Sequence, residues 1–112
     1  MREQSIMNAI MDVIAARKAK PPPRSYVVDL FDGGVARIGA KIIEEAAETV
    51  EAADEPGSRG REHLIKEAAD LVFHTAVLLG YRDIPWSEVE AELARRFGIS
   101  GITEKESREA SS

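Results

Sequence analysis

Acidic side chains recur at helical spacing in two places along the chain, and they are the residues best suited to chemistry. The first group is Glu44, Glu45 and Glu48, and the second is Glu67 and Asp70. Residues three or four positions apart lie on one face of an α-helix, so each group presents its carboxylates together. Carboxylate oxygens suit hard divalent cations, and a chain without cysteine favours Mg²⁺ or Mn²⁺ over zinc.

A register argument brings the two acidic groups together. The helices that carry them are separated by a loop at 55–60 that contains proline and two glycines. If they form an antiparallel hairpin about the middle of this loop, Glu48 faces Glu67. By the same symmetry, Glu45 faces Asp70. Carboxylates in a semi-buried groove need cations to offset their repulsion. The alternative is a solvated acidic face, because Glu-x-x-Glu alone is a common pattern.

Cations held by such a groove indicate phosphate chemistry. Mg²⁺ bridges phosphate oxygens, polarises a phosphorus centre and activates water. A covalent nucleophile is not recognisable, because no serine has a histidine in a triad-like arrangement. We therefore infer metal-assisted hydrolysis of a phosphoanhydride. Of the two histidines, His63 is expected to be solvated, whereas His74 is expected to be structural or to support Asp70.

Four helices are predicted to position these groups. Apolar periodicity and helix-breaking residues place them at about 3–18, 35–54, 61–81 and 86–97. A proline run ends the first helix, and an Asp-Gly-Gly turn at 32–34 precedes the second. The segment 25–28 is compatible with either an extended piece or a helical turn. The predicted fold is all-α, a four- to five-helix bundle.

The third helix is apolar around almost its whole circumference, which is typical of a buried helix. Its polar residues, Glu67, Asp70 and His74 among them, share one sector. A single hairpin partner leaves much of this apolar surface uncovered, so we expect an obligate homodimer. The apolar stripe along 86–97 is expected to be core or dimer interface.

Composition limits the other functions open to the chain. Its 112 residues and 12.3 kDa fit one domain over 1–112, with a tail expected to be mobile from about Glu109. The net charge of −5 and pI near 5.1 argue against nucleic acid or an anionic membrane as the partner. Lacking cysteine, a bilayer-length apolar run and a recognisable leader, the chain is predicted to be cytoplasmic.

Two runs of sequence carry a family resemblance: KIIEEAAE from Lys41 to Glu48, and EAADLVFH from Glu67 to His74. They resemble the all-α nucleoside-triphosphate pyrophosphatases. The Ser25-Tyr26 pair and the segment from Gly101 to Arg108 are most similar to one member family, the phosphoribosyl-ATP pyrophosphatases of histidine biosynthesis. The chain differs from that family's usual pattern at Val27, Ile43 and Phe73, where Thr, Gly and Tyr are more common.

The resemblance implies Mg²⁺-dependent hydrolysis of phosphoribosyl-ATP to phosphoribosyl-AMP and pyrophosphate, by a homodimer or larger homo-oligomer. The implied metal ligands are Glu45, Glu48, Glu67 and Asp70. The implied catalytic residues are Glu44 and Glu48, where Glu44 is a further ligand or orients the attacking water. The implied substrate-binding cations are Lys41, Arg24, Lys105 and Arg108.

Other interpretations of the same residues stay open at the level of sequence. Lys41 is equally suited to an ion pair with Glu45. Arg24 ends a basic run that begins at Arg17, and the cations from Arg17 to Lys20 also suit the C-terminal end of a helix. The acidic motifs fit a broader house-cleaning nucleotide pyrophosphatase. A non-catalytic helical interaction module with solvated acidic faces is the third possibility.

Overall fold

The structure is a computed structural model that describes residues 5–98, and it is helical throughout that range apart from short connections. The helices are α1 (Ile6–Ala19), α2 (Tyr26–Ala53), α3 (Gly57–Tyr81) and α4 (Trp86–Phe97). No strand occurs among these residues, which confirms the all-α class. None of the described helices combines the length and the hydropathy needed to cross a bilayer. The predictions for Lys105, Arg108 and the tail from Glu109 lie outside the described residues.

α2 begins earlier than the sequence predicted. The Ser25 hydroxyl accepts a hydrogen bond from the backbone N–H of Val28 at 3.3 Å, which satisfies an amide left unpaired in the first helical turn. This cap starts α2 at Tyr26, so the segment 25–28 leads into a helix and is not extended. The expected start at about Val35 is confirmed for the second segment of α2, which follows the break at Gly34, whereas the helical segment from Tyr26 to Gly33 was not predicted.

A sharp kink at Gly34 divides α2 where the sequence predicted a turn. Gly34 has φ 64° and ψ −159°, a backbone conformation that strains any residue with a Cβ. In an unbroken helix, Tyr26 and Glu45 would be roughly 28 Å apart along the axis. Both instead reach the same part of α3, since Tyr26 bonds His74 and Glu45 lies beside Asp70. The predicted turn is thus present as a kink that folds the two segments of α2 against α3.

α3 begins at Gly57, ahead of the predicted start at Arg61, so the connection to α2 is only residues 54–56. Pro56 is the N-cap, with φ −82° and ψ 164°, a position at the helix entrance where proline loses no hydrogen bond. A Cβ on Gly60 would collide with the carbonyl group of Glu55, so this tight connection requires glycine there. Proline and glycine residues that indicate a loop in the sequence are here part of the first helical turn.

The core forms where α1 packs against α2 and α3. Its buried side chains are Ile14, Val27, Leu30, Ile38, Ala76 and Val77. α4 contributes no buried residue, so its apolar stripe is not core in the single chain. Other parts of the α2–α3 hairpin stay open, and Ile65 and Val72 are 52% and 39% exposed. The single chain thus leaves apolar surface of α3 uncovered, as the sequence analysis expected of one hairpin partner.

Candidate active site

The carboxylates of α2 and α3 converge within the hairpin. One group consists of Glu44, Glu45 and Glu48, and an overlapping group consists of Glu45, Glu67 and Asp70. Within each group, one potential ligand oxygen from every residue lies within 4.8 Å of the others. Glu45 belongs to both groups and joins them. The structure thus brings together all five acidic residues that the sequence singled out, in the hairpin register that it predicted.

Two oxygens at the centre of this acidic cluster are buried without a hydrogen-bond donor among the described residues. They are Oε2 of Glu45 and Oε2 of Glu67. A buried carboxylate oxygen without a donor is costly, because it has lost its water and gained nothing in exchange. A divalent cation satisfies such oxygens, and an all-oxygen donor set suits Mg²⁺ or Mn²⁺. The residues present therefore fit a hard metal ion.

The protonation of Glu67 reflects this crowding. The close approach of the Glu48 carboxyl, burial and the neighbouring Glu45 carboxyl raise the pKa of Glu67 to about 7. Two negative carboxylates repel each other at short distance, so this crowding favours the protonated form of Glu67. Without a cation, the Glu67 carboxyl therefore tends to keep its proton up to near neutral pH, which lowers the negative charge of the cluster.

Lys41 lies at the rim of the acidic cluster. Its ammonium donates a hydrogen bond to Glu44 at 3.1 Å and lies 3.7 Å from Oε1 of Glu45. The bond to Glu44 raises the pKa of Lys41 and keeps the side chain charged. The ion pair with Glu45 that the sequence allowed is present.

His63 is the residue whose environment the sequence analysis missed. Its Nδ1 lies 3.0 Å from both carboxylate oxygens of Glu55, and its Nε2 lies 3.4 Å from Oε1 of Glu67. The bond with Glu55 raises the pKa of His63. The His63 side chain is 40% exposed, in keeping with the expectation that it is solvated, but its contacts with the two carboxylates were not predicted. Its i, i+4 spacing from Glu67 was the signal available in the sequence.

Known proteins are similar in sequence to this chain over most of its length. Residues 7–97 match the sequence model of a family described as phosphoribosyl-ATP pyrophosphohydrolase. This chain belongs to that family. Relatives named phosphoribosyl-ATP pyrophosphatase include one from Rhodopirellula baltica, 50% identical over 93% of this chain and 87% of the relative. One from Geotalea daltonii is 51% identical over 93% of this chain and 95% of the relative. One from Novosphingobium aromaticivorans is 47% identical over 96% of this chain and 98% of the relative.

In this member of the pyrophosphohydrolase family, a buried histidine ties the two segments of α2 to α3. His74 is 4% exposed, and its Nδ1–H donates to the backbone carbonyl of Asp70 at 2.7 Å. Because a carbonyl oxygen only accepts, Nε2 is free to accept a hydrogen bond from the Tyr26 hydroxyl, also at 2.7 Å. His74 therefore has the structural role that the sequence allowed. It holds the backbone of Asp70, and its bond does not reach the Asp70 carboxylate.

Of the three remaining predicted cations, Arg24 lies among the described residues. Arg24 is exposed in the connection before α2, with a left-handed φ of 59°, and forms no ion pair with the cluster. It lies two residues before Tyr26, which the kink brings against α3. Lys105 and Arg108 follow the segment that matches the pyrophosphohydrolase family and lie outside the described residues.

Proposed function

We propose that this chain hydrolyses phosphoribosyl-ATP to phosphoribosyl-AMP and pyrophosphate, the second step of histidine biosynthesis. The observation that carries the proposal is the acidic cluster, with two buried oxygens that lack donors, in a member of the phosphoribosyl-ATP pyrophosphohydrolase family. Relatives that bear this enzyme's name share about half of the residues over nearly the whole chain. Family membership also makes a hydrolase a better description than an interaction module.

The proposed cofactor is Mg²⁺, with Mn²⁺ as a possible substitute. The proposed ligands are Glu45, Glu48, Glu67 and Asp70. The buried oxygens of Glu45 and Glu67 support this assignment, because a dication would compensate the loss of water at both. When bound, Mg²⁺ offsets the charge of the phosphates and polarises the phosphorus centre that is attacked.

Glu44 and Glu48 are the proposed catalytic residues. Forming phosphoribosyl-AMP and pyrophosphate requires that water add to one phosphorus of the α–β anhydride, that this anhydride bond break, and that a base take the water's proton. Glu48 lies inside the cluster beside Glu67, where we assign it the role of proton acceptor. Glu44 lies at the exposed rim, with Oε2 bonded to Lys41, and we assign it to orienting the entering water.

Positive side chains are proposed to bind the phosphates of the substrate. They are Lys41, Arg24, Lys105 and Arg108. The support from the structure concerns Lys41, which lies between the rim of the cluster and Glu45 and is held there by two carboxylates. An ammonium in that position balances part of the negative charge that a polyphosphate brings to an acidic site. The other three are proposed from the family resemblance.

A homodimer is proposed for the assembly. Exposed apolar side chains on α2 and α3 are Ile43 (74%), Val50 (69%), Ile65 (52%) and Val72 (39%). Ile43 and Val50 are seven residues apart on α2, as Ile65 and Val72 are on α3, so each pair lies on one face of its helix. We call these four side chains the apolar strip. Monomeric proteins rarely expose large apolar patches, and a second copy of the chain would cover these side chains.

The deciding experiment measures pyrophosphate release from phosphoribosyl-ATP, with Mg²⁺ and with chelator. We expect release only with Mg²⁺, and we expect Glu48→Gln to reduce the rate by at least about 100-fold, because it removes a general base that is also a ligand. Glu51→Gln is the matched control. It makes the same change of charge and shape one turn further along α2, at an exposed position outside the cluster.

Two results would contradict the proposal. Equal rates for wild type and Glu48→Gln would show that the reaction does not depend on the acidic cluster. Comparable cleavage of ordinary or modified deoxynucleoside triphosphates would instead favour the broader house-cleaning pyrophosphatase.

A further inference from the structure

His63 contacts two carboxylates with the two nitrogens of one ring. Nδ1 lies 3.0 Å from both oxygens of Glu55, which belongs to the 54–56 connection. Nε2 lies 3.4 Å from Oε1 of Glu67, one helical turn further along α3. The imidazole therefore joins the α2–α3 connection to the acidic cluster. The proposed reaction assigns no role to this contact.

The contact makes the two oxygens of Glu67 inequivalent. Oε1 faces His63, whereas Oε2 is buried and has no donor among the described residues. A carboxylate anchored through one oxygen has little freedom to turn the other away. Glu45 shows the same division, because its Oε1 faces Lys41 at 3.7 Å and its Oε2 is buried without a donor. Each central carboxylate thus keeps one oxygen toward a side-chain nitrogen at the rim and the other toward the interior.

Glu55 restrains the orientation of the His63 ring. Both of its oxygens are equally distant from Nδ1, so the carboxylate lies squarely across that edge of the imidazole. The His63 side chain is 40% exposed and has space to rotate if this contact is lost. The order of contacts is therefore Glu55, then His63, then Glu67.

We propose that His63, held by Glu55, is a positioning residue that directs Oε2 of Glu67 toward the metal ion. This role rests on the proposed function, because it requires that the acidic cluster bind Mg²⁺. His63 itself touches neither the metal nor the substrate. Residues that orient metal ligands in this way typically change metal affinity by about 10- to 100-fold when they are replaced.

The test is the dissociation constant of Mg²⁺ for the whole chain, measured by isothermal titration calorimetry without substrate. We expect His63→Leu to weaken binding by about 10-fold. His63→Gln places an amide N–H near the position of Nε2 and should retain most of the affinity. Arg61→Gln is the control, because it removes an exposed charge two residues away. Charge removal alone predicts tighter binding of a dication, the opposite direction.

A second variant tests the role of Glu55. Glu55→Gln should weaken Mg²⁺ binding in the wild-type background and have no further effect when His63 is Leu, since both act through one contact. The melting temperature of the metal-free protein separates a purely structural role. If His63→Leu lowers that temperature while the dissociation constant stays unchanged, the positioning role is overturned. If the wild type binds no Mg²⁺, the proposed metal site itself is wrong, which is a distinct result.

Discussion

At the scale of single residues, the acidic cluster brings together groups that destabilise one another. The neighbouring Glu48 carboxyl, burial and the Glu45 carboxyl raise the pKa of Glu67 to about 7, so all three favour its protonated form. Near neutral pH, protons and a divalent cation therefore compete for the same oxygens. The repulsion left when both are absent is the physical reason for proposing a cation at this site.

This crowding predicts how the stability of the metal-free protein depends on pH. Because the folded pKa of Glu67 lies above its ordinary value of 4.5, its contribution is favourable below about pH 4.5 and is lost as the pH rises through 7. Glu67→Gln imitates the protonated form at every pH. We expect its stability in chelator to match the wild type at low pH and to exceed it increasingly toward pH 8, as measured by urea unfolding.

Added Mg²⁺ should reverse that order at pH 8. The wild type gains stability from a ligand that binds only the folded state, whereas Glu67→Gln has lost one metal-binding carboxylate and gains less. Glu51→Gln, which lies on the exposed surface of α2, should show neither effect. A wild-type protein that becomes more stable relative to Glu67→Gln as the pH rises in chelator would contradict this account.

At the scale of elements, the kink in α2 determines which residues meet α3. Gly34 allows Tyr26 and Glu45 to reach one part of α3 even though a straight helix would separate them. The bond from Tyr26 to His74, and from His74 to the carbonyl of Asp70, then joins the first segment of α2 to a residue of the cluster. The backbone angle of one glycine is thus coupled to the position of a proposed ligand.

Gly34→Ala should therefore destabilise the protein. Alanine at φ 64° and ψ −159° is strained, and we expect a loss of about 1–3 kcal/mol in the free energy of unfolding. Gly39→Ala is the matched control in the same helix, where a new Cβ meets nothing within 4 Å. Because alanine is the better helix former, that variant should gain up to about 1 kcal/mol. Urea unfolding of both variants measures the difference. Equal stabilities would show that alanine is not strained at position 34.

At the scale of the whole molecule, one chain leaves too much apolar surface open. The strip formed by Ile43, Val50, Ile65 and Val72 is exposed on the hairpin that carries the acidic cluster. The side chains of α4 are not buried either. The buried core, by contrast, is confined to the region where α1 meets α2 and α3. Covering the strip would stabilise the two helices that position the carboxylates.

The dimer is tested by sedimentation velocity. We expect the wild type to sediment at twice the chain mass of 12.3 kDa and Ile43→Glu to shift it toward the monomer, because a buried interface does not tolerate an unpaired carboxylate. Ile6→Glu is the control, since Ile6 is 72% exposed on α1, outside the strip. A folded wild-type monomer would disprove the dimer. Dissociation by Ile6→Glu alone would place the interface elsewhere.

The sequence by itself determined the helical class and the five carboxylates. Helical periodicity depends on residues three or four positions apart, and the symmetry of a hairpin follows from the position of its loop, so both are local properties. Local signals were weaker at the helix ends. Glycine and proline indicate turns, kinks and first helical turns alike. For that reason the predicted start of α3 at Arg61 was wrong, and the helical segment before Gly34 was not predicted.

Only the tertiary structure decided which side chains surround the carboxylates. Glu55 and His63 come together because the α2–α3 connection is short, and Tyr26 reaches His74 because the backbone turns at Gly34. The buried, donor-free oxygens of the cluster likewise depend on how tightly α2 and α3 pack. Such contacts join residues that are distant along the chain, and their geometry depends on backbone angles and side-chain packing that periodicity does not encode.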